Sequence, residues 1–276
     1  MDKIKRDLLA IVANMTQGNK NQLIGLIGPP GVGKTMIARA LSEAADLPLE
    51  QISLGGAHDS SVLEGHSFTY EGSEPGIIVK SLIKMKCTNG IFYFDEVEKT
   101  ANTRSREIQH SLLHILDFTQ NHDFRDNYMP EIPINISNCI FILSMNSLDN
   151  MDSALKSRIQ TVEFKGYNTQ EKNVMFKQYL LPESLRNYKI DNLNIKVPYM
   201  VRQYVINKTA EEGHKDGYSG VRGLKNNIDK LVKHINTKYI LGEIKYPYSV
   251  NIDFVDQILE TPRNRMDEYV RNMMYT

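Results

Sequence analysis

The chain has 276 residues, of which 33 are lysine or arginine, 33 are aspartate or glutamate and 41% are hydrophobic. A chain of this length can bury a sizeable core, so one large and one smaller domain are expected without a disulfide or metal framework. The neutral charge balance offers no overall attraction to nucleic acid. No apolar run reaches the length of a membrane span, and the charges in MDKIKRDLLAIVANM are unlike a signal peptide. We therefore expect an intracellular location, cytoplasmic or in an organelle matrix.

Short apolar strands alternate with amphipathic helices in the first part of the chain, which is typical of a parallel α/β sheet. Strands are predicted at residues 23–27, 49–53, 91–94, 140–144 and 160–164. After Lys165 no further strand is predicted. Helices are predicted there at residues 169–180, 197–207 and 219–236, the last with an apolar stripe. The pattern therefore predicts an α/β domain at 1–165 and a small all-α domain at 166–276.

Residues 23–41, LIGLIGPPGVGKTMIARAL, combine an apolar strand, a glycine-rich loop and the start of a helix. The loop, residues 28–35, has the spacing G-x-x-x-x-G-K-T. This spacing lets backbone N–H groups point at phosphate oxygens beside a helix N-terminus. Lys34 is predicted to reach the β and γ phosphates of a nucleotide, and the Thr35 hydroxyl to bind Mg²⁺. Residues 28–35 are therefore the candidate phosphate-binding loop, or P-loop.

Residues 91–99, IFYFDEVEK, are an apolar strand that ends in carboxylates. Asp95 is predicted to contribute to the coordination of Mg²⁺, and Glu96 to polarise the water that attacks the γ phosphate. The same pattern also occurs at ordinary strand ends, so its weight comes from its position after a P-loop.

Two further polar residues follow apolar or helical segments. Asn146 ends the apolar stretch CIFILSMNS, where its amide either orients the attacking water or merely begins a turn. Arg158 stands just before the last predicted strand. It is either a solvated helix end or an arginine that is supplied to the nucleotide of a neighbouring subunit.

These motifs, in this order, resemble those of an AAA+ ATPase, and several stretches are similar to the ATPase module of Lon proteases. The resemblance covers nearly the whole chain. The stretches that carry it are GPPGVGKT (28–35), ISLGGAHDSSVLEGHSFTYEGSEPGII (52–78), LLHILDFTQNHDFRDNYM (112–129), MNSLDNMDSALKSRIQTVEFKGY (145–167) and GYSGVRGLKNNI (217–228).

The resemblance implies a role for each matched residue. Asp95 and Glu96 match Walker B, Asn146 matches sensor 1, and Arg158 matches the arginine finger. Arg222, in GVRG, matches sensor 2, and Tyr70, in FTYEG, matches the aromatic that grips a polypeptide in the central pore. The residues that match the ATP-binding Walker A motif are Gly28, Pro29, Pro30, Gly31, Val32, Gly33, Lys34 and Thr35.

The implied fold is an AAA+ nucleotide-binding domain with a five-stranded parallel sheet at 1–165, followed by a helical lid with a C-terminal tail at 166–276. The implied function is an ATP-hydrolysing motor that requires Mg²⁺ and remodels or unfolds proteins as a ring, without a peptidase of its own. The expected partners are further copies in a hexameric ring, a polypeptide substrate and a separate peptidase, with no membrane and no nucleic acid.

Three alternatives remain open. The chain could be the isolated motor fragment of a longer ATP-dependent Lon protease. It could be an ATP-dependent nucleic-acid remodeller, against which the neutral charge argues. It could also be a nucleotide-switched binding module with little turnover.

Overall fold

A computed structural model of the protein describes residues 4, 6–10, 13, 23–57, 59–69, 71–101, 106–149, 151–213 and 220–259. The chain divides into two compact units. The first contains Met1–Pro29 and Gly33–Lys165, and the second contains Pro30–Val32 and Gly166–Thr276.

The first unit is built on a five-stranded sheet in which all neighbouring strands are parallel, in the order β2-β3-β4-β1-β5. The prediction of a five-stranded parallel sheet is therefore confirmed, and each predicted strand boundary lies within one residue of the observed one. The strands are β1 (Leu23–Ile27), β2 (Leu49–Ser53), β3 (Ile91–Asp95), β4 (Ile140–Met145) and β5 (Ile159–Glu163).

The position of each strand follows from its composition. The central strands β3, β4 and β1 read IFYFD, IFILSM and LIGLI, and nearly all their residues are buried, as expected for strands covered on both faces. The edge strands β2 and β5 read LEQIS and IQTVE, which mix polar with apolar residues and are partly exposed. Polar residues at the edges disfavour pairing with further strands.

Helices cover this sheet. They are α1 (Lys34–Ala45), α2 (Ser61–Glu64), α3 (Ile77–Met85), α4 (Arg106–Ile115) and α5 (Ser153–Arg158), with 3₁₀ turns at Val97–Ala101 and Asn121–Asp123. The core contains stacked rings: Phe92 lies 6.2 Å from Phe94 and 5.6 Å from Phe141 between ring centroids. Apolar residues of α3 and α4, such as Ile78 and Leu112, join the same core.

The second unit is mainly helical, as predicted, and forms its own apolar core. The expectation that no strand follows Lys165 is wrong in one detail, because two short strands pair in parallel at Ile195↔Tyr248 and Lys196↔Ser249. The elements are α6 (Thr169–Met175), a π-helical turn (Phe176–Leu180), α7 (Leu181–Asn187), β6 (Ile195–Lys196), α8 (Tyr199–Gly213), α9 (Arg222–Ile240), β7 (Tyr248–Ser249) and α10 (Ile252–Leu259).

The apolar stripe of α9 forms the centre of this second core. Leu224, Ile228, Leu231 and Ile235 are all buried, whereas Val221 is only half-buried. Each buried side chain of this size stabilises the fold by about 1.5–3 kcal/mol relative to an exposed one. Among the described helices, none combines the length and the apolar character that a membrane span requires.

Candidate functional site

The P-loop follows β1 and leads into α1, and its backbone depends on glycine. Gly33 has φ +97°, in the left-handed region that glycine adopts without strain. A Cβ atom on Gly28 would lie 2.3 Å from the carbonyl oxygen of Phe164. The Gly28 N–H donates to the Met145 carbonyl of β4 at 3.2 Å. The loop is thereby fastened to the sheet at the carboxyl end of β4.

The first turn of α1 is suited to an anion. Lys34 is its first residue, and the N-cap residue Gly33 has no side chain that could accept from the exposed N–H groups. Within the described turn there is also no acidic side chain. The positive end of the helix dipole and these N–H groups therefore meet no negative charge from the turn itself.

Lys34 folds back over the loop that precedes it. Its ammonium group donates to the carbonyl of Gly28, to that of Pro29 at 3.3 Å and to Oδ1 of Asn146 at 3.2 Å. The carbonyl of Gly28 belongs to the start of the P-loop and Asn146 follows β4. Lys34 therefore brings together two parts of the sequence that are more than a hundred residues apart.

Asp95 and Glu96 lie at the carboxyl end of β3. One carboxylate oxygen of Asp95 accepts from the Glu96 N–H at 3.0 Å, and the other accepts from the Gln51 side chain at 3.5 Å. Glu96 has φ +59°, which is uncommon for a residue other than glycine, and this turn directs the chain away from the strand. Its carboxylate pairs with Lys99 at 2.8 Å, and this hydrogen bond is the main cause of the raised pKa of Lys99.

Asn146 lies between a cation and an anion. While its Oδ1 accepts from Lys34, its Nδ2 donates to Oε1 of Glu98 at 2.6 Å. Because an amide has separate donor and acceptor ends, these two contacts define its orientation. Asn146 is thus part of a polar chain from Lys34 to Glu98, rather than only the start of a turn.

Thr35, the second residue of α1, contacts β3 through its side chain. Its Oγ1 lies 3.1 Å from the hydroxyl oxygen of Tyr93. Tyr93 is fully buried, and burial raises the pKa of its hydroxyl, with a smaller contribution from the charge of Asp95. The tyrosine therefore stays neutral near neutral pH.

Arg158 is the last residue of α5, and within the described part of the chain the polar contacts of its side chain do not include the P-loop or the residues directly after β3 and β4. Its guanidinium pairs with the Asp117 carboxylate at 3.2 Å and donates to the carbonyl of Leu113 at 3.4 Å. Hydrogen bonds from Thr119 hold the pKa of Asp117 below its usual value, and the charge of Arg158 adds to that effect. The structure thus places Arg158 against the end of α4 and the turn after it.

The remaining two predicted residues belong to other parts of the chain. In the second unit, Arg222 begins α9 with an exposed side chain, and the preceding residue, Val221, donates its N–H to the carbonyl of Gly31 at 3.0 Å. Tyr70, the predicted pore aromatic, lies outside the residues that the structure describes.

Two polar side chains of this region were not predicted from the sequence. Glu98 contacts Asn146, and Tyr93 contacts Thr35. The available signals were a third carboxylate in DEVEK and a hydroxyl between two phenylalanines in IFYF. Neither pattern predicts a partner, because both contacts join segments that are distant in the sequence.

Comparison with known proteins places this arrangement in a family. The model of the "ATPase family associated with various cellular activities (AAA)" matches residues 24–167, more than half of the chain. The chain is 33% identical over 270 residues to the Lon protease of Methanosarcina barkeri. The aligned residues make up 97% of this chain and 33% of that protein. It is 34% identical over 242 residues to the Lon protease of Clostridioides difficile, covering 87% of this chain and 30% of that protein.

A viral relative shows the same pattern. The Lon protease homolog of Acanthamoeba polyphaga mimivirus is 34% identical over 236 residues, which are 84% of this chain and 22% of that protein. The chain therefore spans about a third or less of the length of these curated relatives. With the family model matched across the P-loop, β3 and β4, the chain belongs to the AAA family of ATPases.

Proposed function

We propose that the chain binds ATP with Mg²⁺ at the P-loop and hydrolyses the γ phosphate. The observation that carries this proposal is the convergence of Lys34, Asp95, Glu96 and Asn146 at the carboxyl ends of β1, β3 and β4. These are three neighbouring strands of one parallel sheet. Open parallel sheets bind their ligands at this edge. The 3.2 Å contact between Lys34 and Asn146 joins two of the four residues directly.

The nucleotide phosphates are held by the P-loop and α1. On binding, the Lys34 ammonium group exchanges loop carbonyls for phosphate oxygens. Because charged acceptors form stronger hydrogen bonds than neutral ones, this exchange favours the bound form. The N–H groups of the first turn of α1 add further donors.

The donor set fits Mg²⁺. Thr35 and Asp95 offer hydroxyl and carboxylate oxygens, and Mg²⁺ is usually held by one or two protein groups together with substrate phosphates and water. Among the residues that the structure describes, no cluster of three or more His, Cys, Asp or Glu side chains could hold a metal by itself. These oxygens therefore suit an ion that arrives with the nucleotide. When bound, the ion would neutralise charge that develops on the phosphate oxygens.

Glu96 is the proposed base that accepts a proton from the attacking water. Its side chain is 41% exposed, and its ion pair with Lys99 is a surface pair, which opens at little cost in free energy. Asn146 is proposed to orient the water through its amide. Removing a base of this kind lowers the rate of hydrolysis by about a hundredfold to ten-thousandfold.

Two arginines are proposed to complete the site in an assembled ring. Arg158 would act on the nucleotide of a neighbouring copy, which its partial exposure, 39%, and its anchorage on Asp117 support. Arg222 would contact the nucleotide of its own chain, which is supported by the hydrogen bond between Val221 and Gly31 of the P-loop. An arginine that is supplied to a neighbouring nucleotide in this way raises turnover by about a thousandfold or more. This role of Arg158 requires a homo-oligomer, and the proposed form is the hexameric ring that the resemblance to Lon proteases implies.

The proposed use of the energy is the remodelling or unfolding of a polypeptide that is gripped at Tyr70. The support is the similarity to proteins that are named Lon protease. The chain covers about a third of the length of those proteins. The proposed source of any proteolysis is a separate peptidase or the remainder of a longer protease. Residues 1–165 are proposed as the nucleotide-binding domain and 166–276 as the lid.

The experiment is steady-state phosphate release at several protein concentrations, with an unfolded polypeptide or single-stranded DNA added. Glu96→Gln serves as the blank. Turnover per subunit that rises with concentration, and again with polypeptide only, is the expected result. Stimulation by DNA alone would replace the protein-remodelling function with nucleic-acid remodelling. Tight ATP binding with turnover equal to the blank throughout would contradict a motor and indicate a nucleotide switch.

A further inference from the structure

We propose that Tyr93 is a positioning residue that orients the Thr35 hydroxyl, so that a lone pair of Thr35 Oγ1 faces the magnesium ion. This inference rests on the proposed function, since it concerns the same nucleotide site. It assigns a role in metal binding to a residue that lies inside the sheet and contacts no phosphate in the proposed arrangement.

The location of Tyr93 is unusual within its strand. Phe92 and Phe94, its neighbours on β3, stack on each other in the core of the first unit. Because successive side chains of a strand point to opposite faces, Tyr93 points to the other face of the sheet. There its hydroxyl oxygen lies 3.1 Å from Oγ1 of Thr35. A phenylalanine would fill the same space, so the hydroxyl is the feature that needs an explanation.

The contact between Tyr93 and Thr35 joins two hydroxyl groups, and either oxygen can be the donor. A threonine hydroxyl has one proton and two lone pairs, and a phenol oxygen can accept a hydrogen bond. Tyr93 can therefore accept the proton of the Thr35 hydroxyl.

The direction of the hydrogen bond between Thr35 and Tyr93 determines how many lone pairs of Thr35 Oγ1 are available to a cation. If Thr35 donates to Tyr93, both lone pairs of Thr35 Oγ1 remain for a cation. A cation bound to Oγ1 withdraws electron density and makes the Thr35 O–H a better donor. The bond from Thr35 to Tyr93 therefore strengthens when the ion is bound. Tyr93 thus favours the magnesium-bound form over the metal-free form.

The test compares nucleotide binding with and without the ion. Binding of a fluorescent ADP derivative is measured in EDTA and then during a Mg²⁺ titration, for the natural chain and for Tyr93→Phe. We expect unchanged affinity in EDTA. We also expect the Mg²⁺ concentration for half-maximal enhancement to rise by about threefold to tenfold, the factor that one hydrogen bond supplies.

Tyr246→Phe is the matched control, because it removes a buried hydroxyl that has no hydrogen-bond partner among the described residues of the second unit. It should leave both measurements unchanged. A Mg²⁺ dependence of Tyr93→Phe equal to that of the natural chain would overturn the inference and leave the proposed function intact. Equal losses of ADP affinity in EDTA and in Mg²⁺ would also overturn the inference, since they would make Tyr93 a general structural residue. If the natural chain binds no ADP under either condition, the proposed function fails first and the inference fails with it.

Discussion

The amide of Asn146 donates to Oε1 of Glu98 at 2.6 Å while its oxygen accepts from Lys34 at 3.2 Å. The other carboxylate oxygen of Glu98 is buried and has no hydrogen-bond partner in the described part of the chain. The carboxylate of Glu98 therefore faces Asn146 in a partly dry environment, where hydrogen bonds to charged groups are strong. By accepting from Nδ2 of Asn146, Glu98 orients the amide so that its Oδ1, rather than its Nδ2, faces Lys34.

This relationship predicts that Glu98→Ala lowers kcat for ATP hydrolysis by about tenfold, the effect of losing a hydrogen bond to a charged group. The nucleotide dissociation constant should stay unchanged, because Glu98 contacts no P-loop residue directly in the hydrogen bonds of the described chain. The measurement is steady-state hydrolysis together with equilibrium ATP binding.

Two further variants separate positioning from a loss of fold. Glu98→Gln keeps an oxygen that can accept from Asn146 and should recover most of the turnover. Glu131→Ala, an exposed loop glutamate, should match the natural chain. Weaker ATP binding in Glu98→Ala with kcat unchanged would contradict a positioning role.

The assignment of Arg158 to a neighbouring subunit predicts complementation between inactive variants. Arg158→Ala should lower turnover by about a thousandfold, and Lys34→Ala should be inactive because it cannot hold the phosphates. Subunits of the two kinds, mixed before assembly, should regain activity, since each Lys34→Ala subunit supplies its Arg158 to an intact P-loop. A mixture no more active than its separate components would assign Arg158 to its own chain or to structure alone.

The apolar stripe of α9 predicts a large stability cost at its centre. Ile228 is 1% exposed, so Ile228→Ala removes buried methyl groups and leaves a cavity. The free energy of unfolding of the second unit should fall by about 2–5 kcal/mol. Urea unfolding followed by helical circular dichroism measures this change. Lys230→Ala, on the exposed face of the same helix, is the control, and an equal loss in both variants would contradict the assigned core.

The two cysteines should differ strongly in reactivity. Cys139 is 1% exposed and donates to the carbonyl of Thr88 at 3.2 Å, and burial raises its pKa to about 12. Cys87 is only half-buried. Near neutral pH, the thiolate fraction of Cys139 is roughly a thousandfold smaller than that of an ordinary thiol, so iodoacetamide should modify Cys87 and spare Cys139.

Peptide mass mapping after timed labelling measures the extent of modification of each cysteine. The labelling rate of Cys139 should increase about tenfold for each pH unit, up to its pKa, as long as the fold persists. Labelling in denaturing guanidinium should reach both residues equally. Rapid native labelling of Cys139 would contradict its burial beside β4.

The sheet could be predicted because its central strands are short apolar runs that end in polar residues. LIGLI, IFYFD and IFILSM are unlike the amphipathic stretches between them, so their bounds differ from the prediction by a residue at most. The P-loop was equally visible, because its chemistry needs glycines and lysine at fixed spacing. The short strands β6 and β7 were not predicted, since two residues are too few to show any periodicity.

The polar contacts of the site were beyond sequence reasoning for another reason. Tyr93 reads as one more buried strand residue, and Glu98 reads as an exposed charge after a strand. Their roles depend on Thr35 and Asn146, which approach them only through the order of the strands in the sheet. A local sequence pattern therefore does not predict the Thr35–Tyr93 and Asn146–Glu98 contacts.

The central claim is that the P-loop holds ATP through Lys34 and that Glu96 acts only in the chemical step. The most direct measurement is calorimetric titration of ATP and Mg²⁺ into the natural chain, Lys34→Ala and Glu96→Gln, with phosphate release followed in parallel. We predict that Lys34→Ala loses binding, whereas Glu96→Gln binds as the natural chain does and releases no phosphate. Binding that survives Lys34→Ala unchanged would contradict the site, and phosphate release that survives Glu96→Gln would contradict the assigned base.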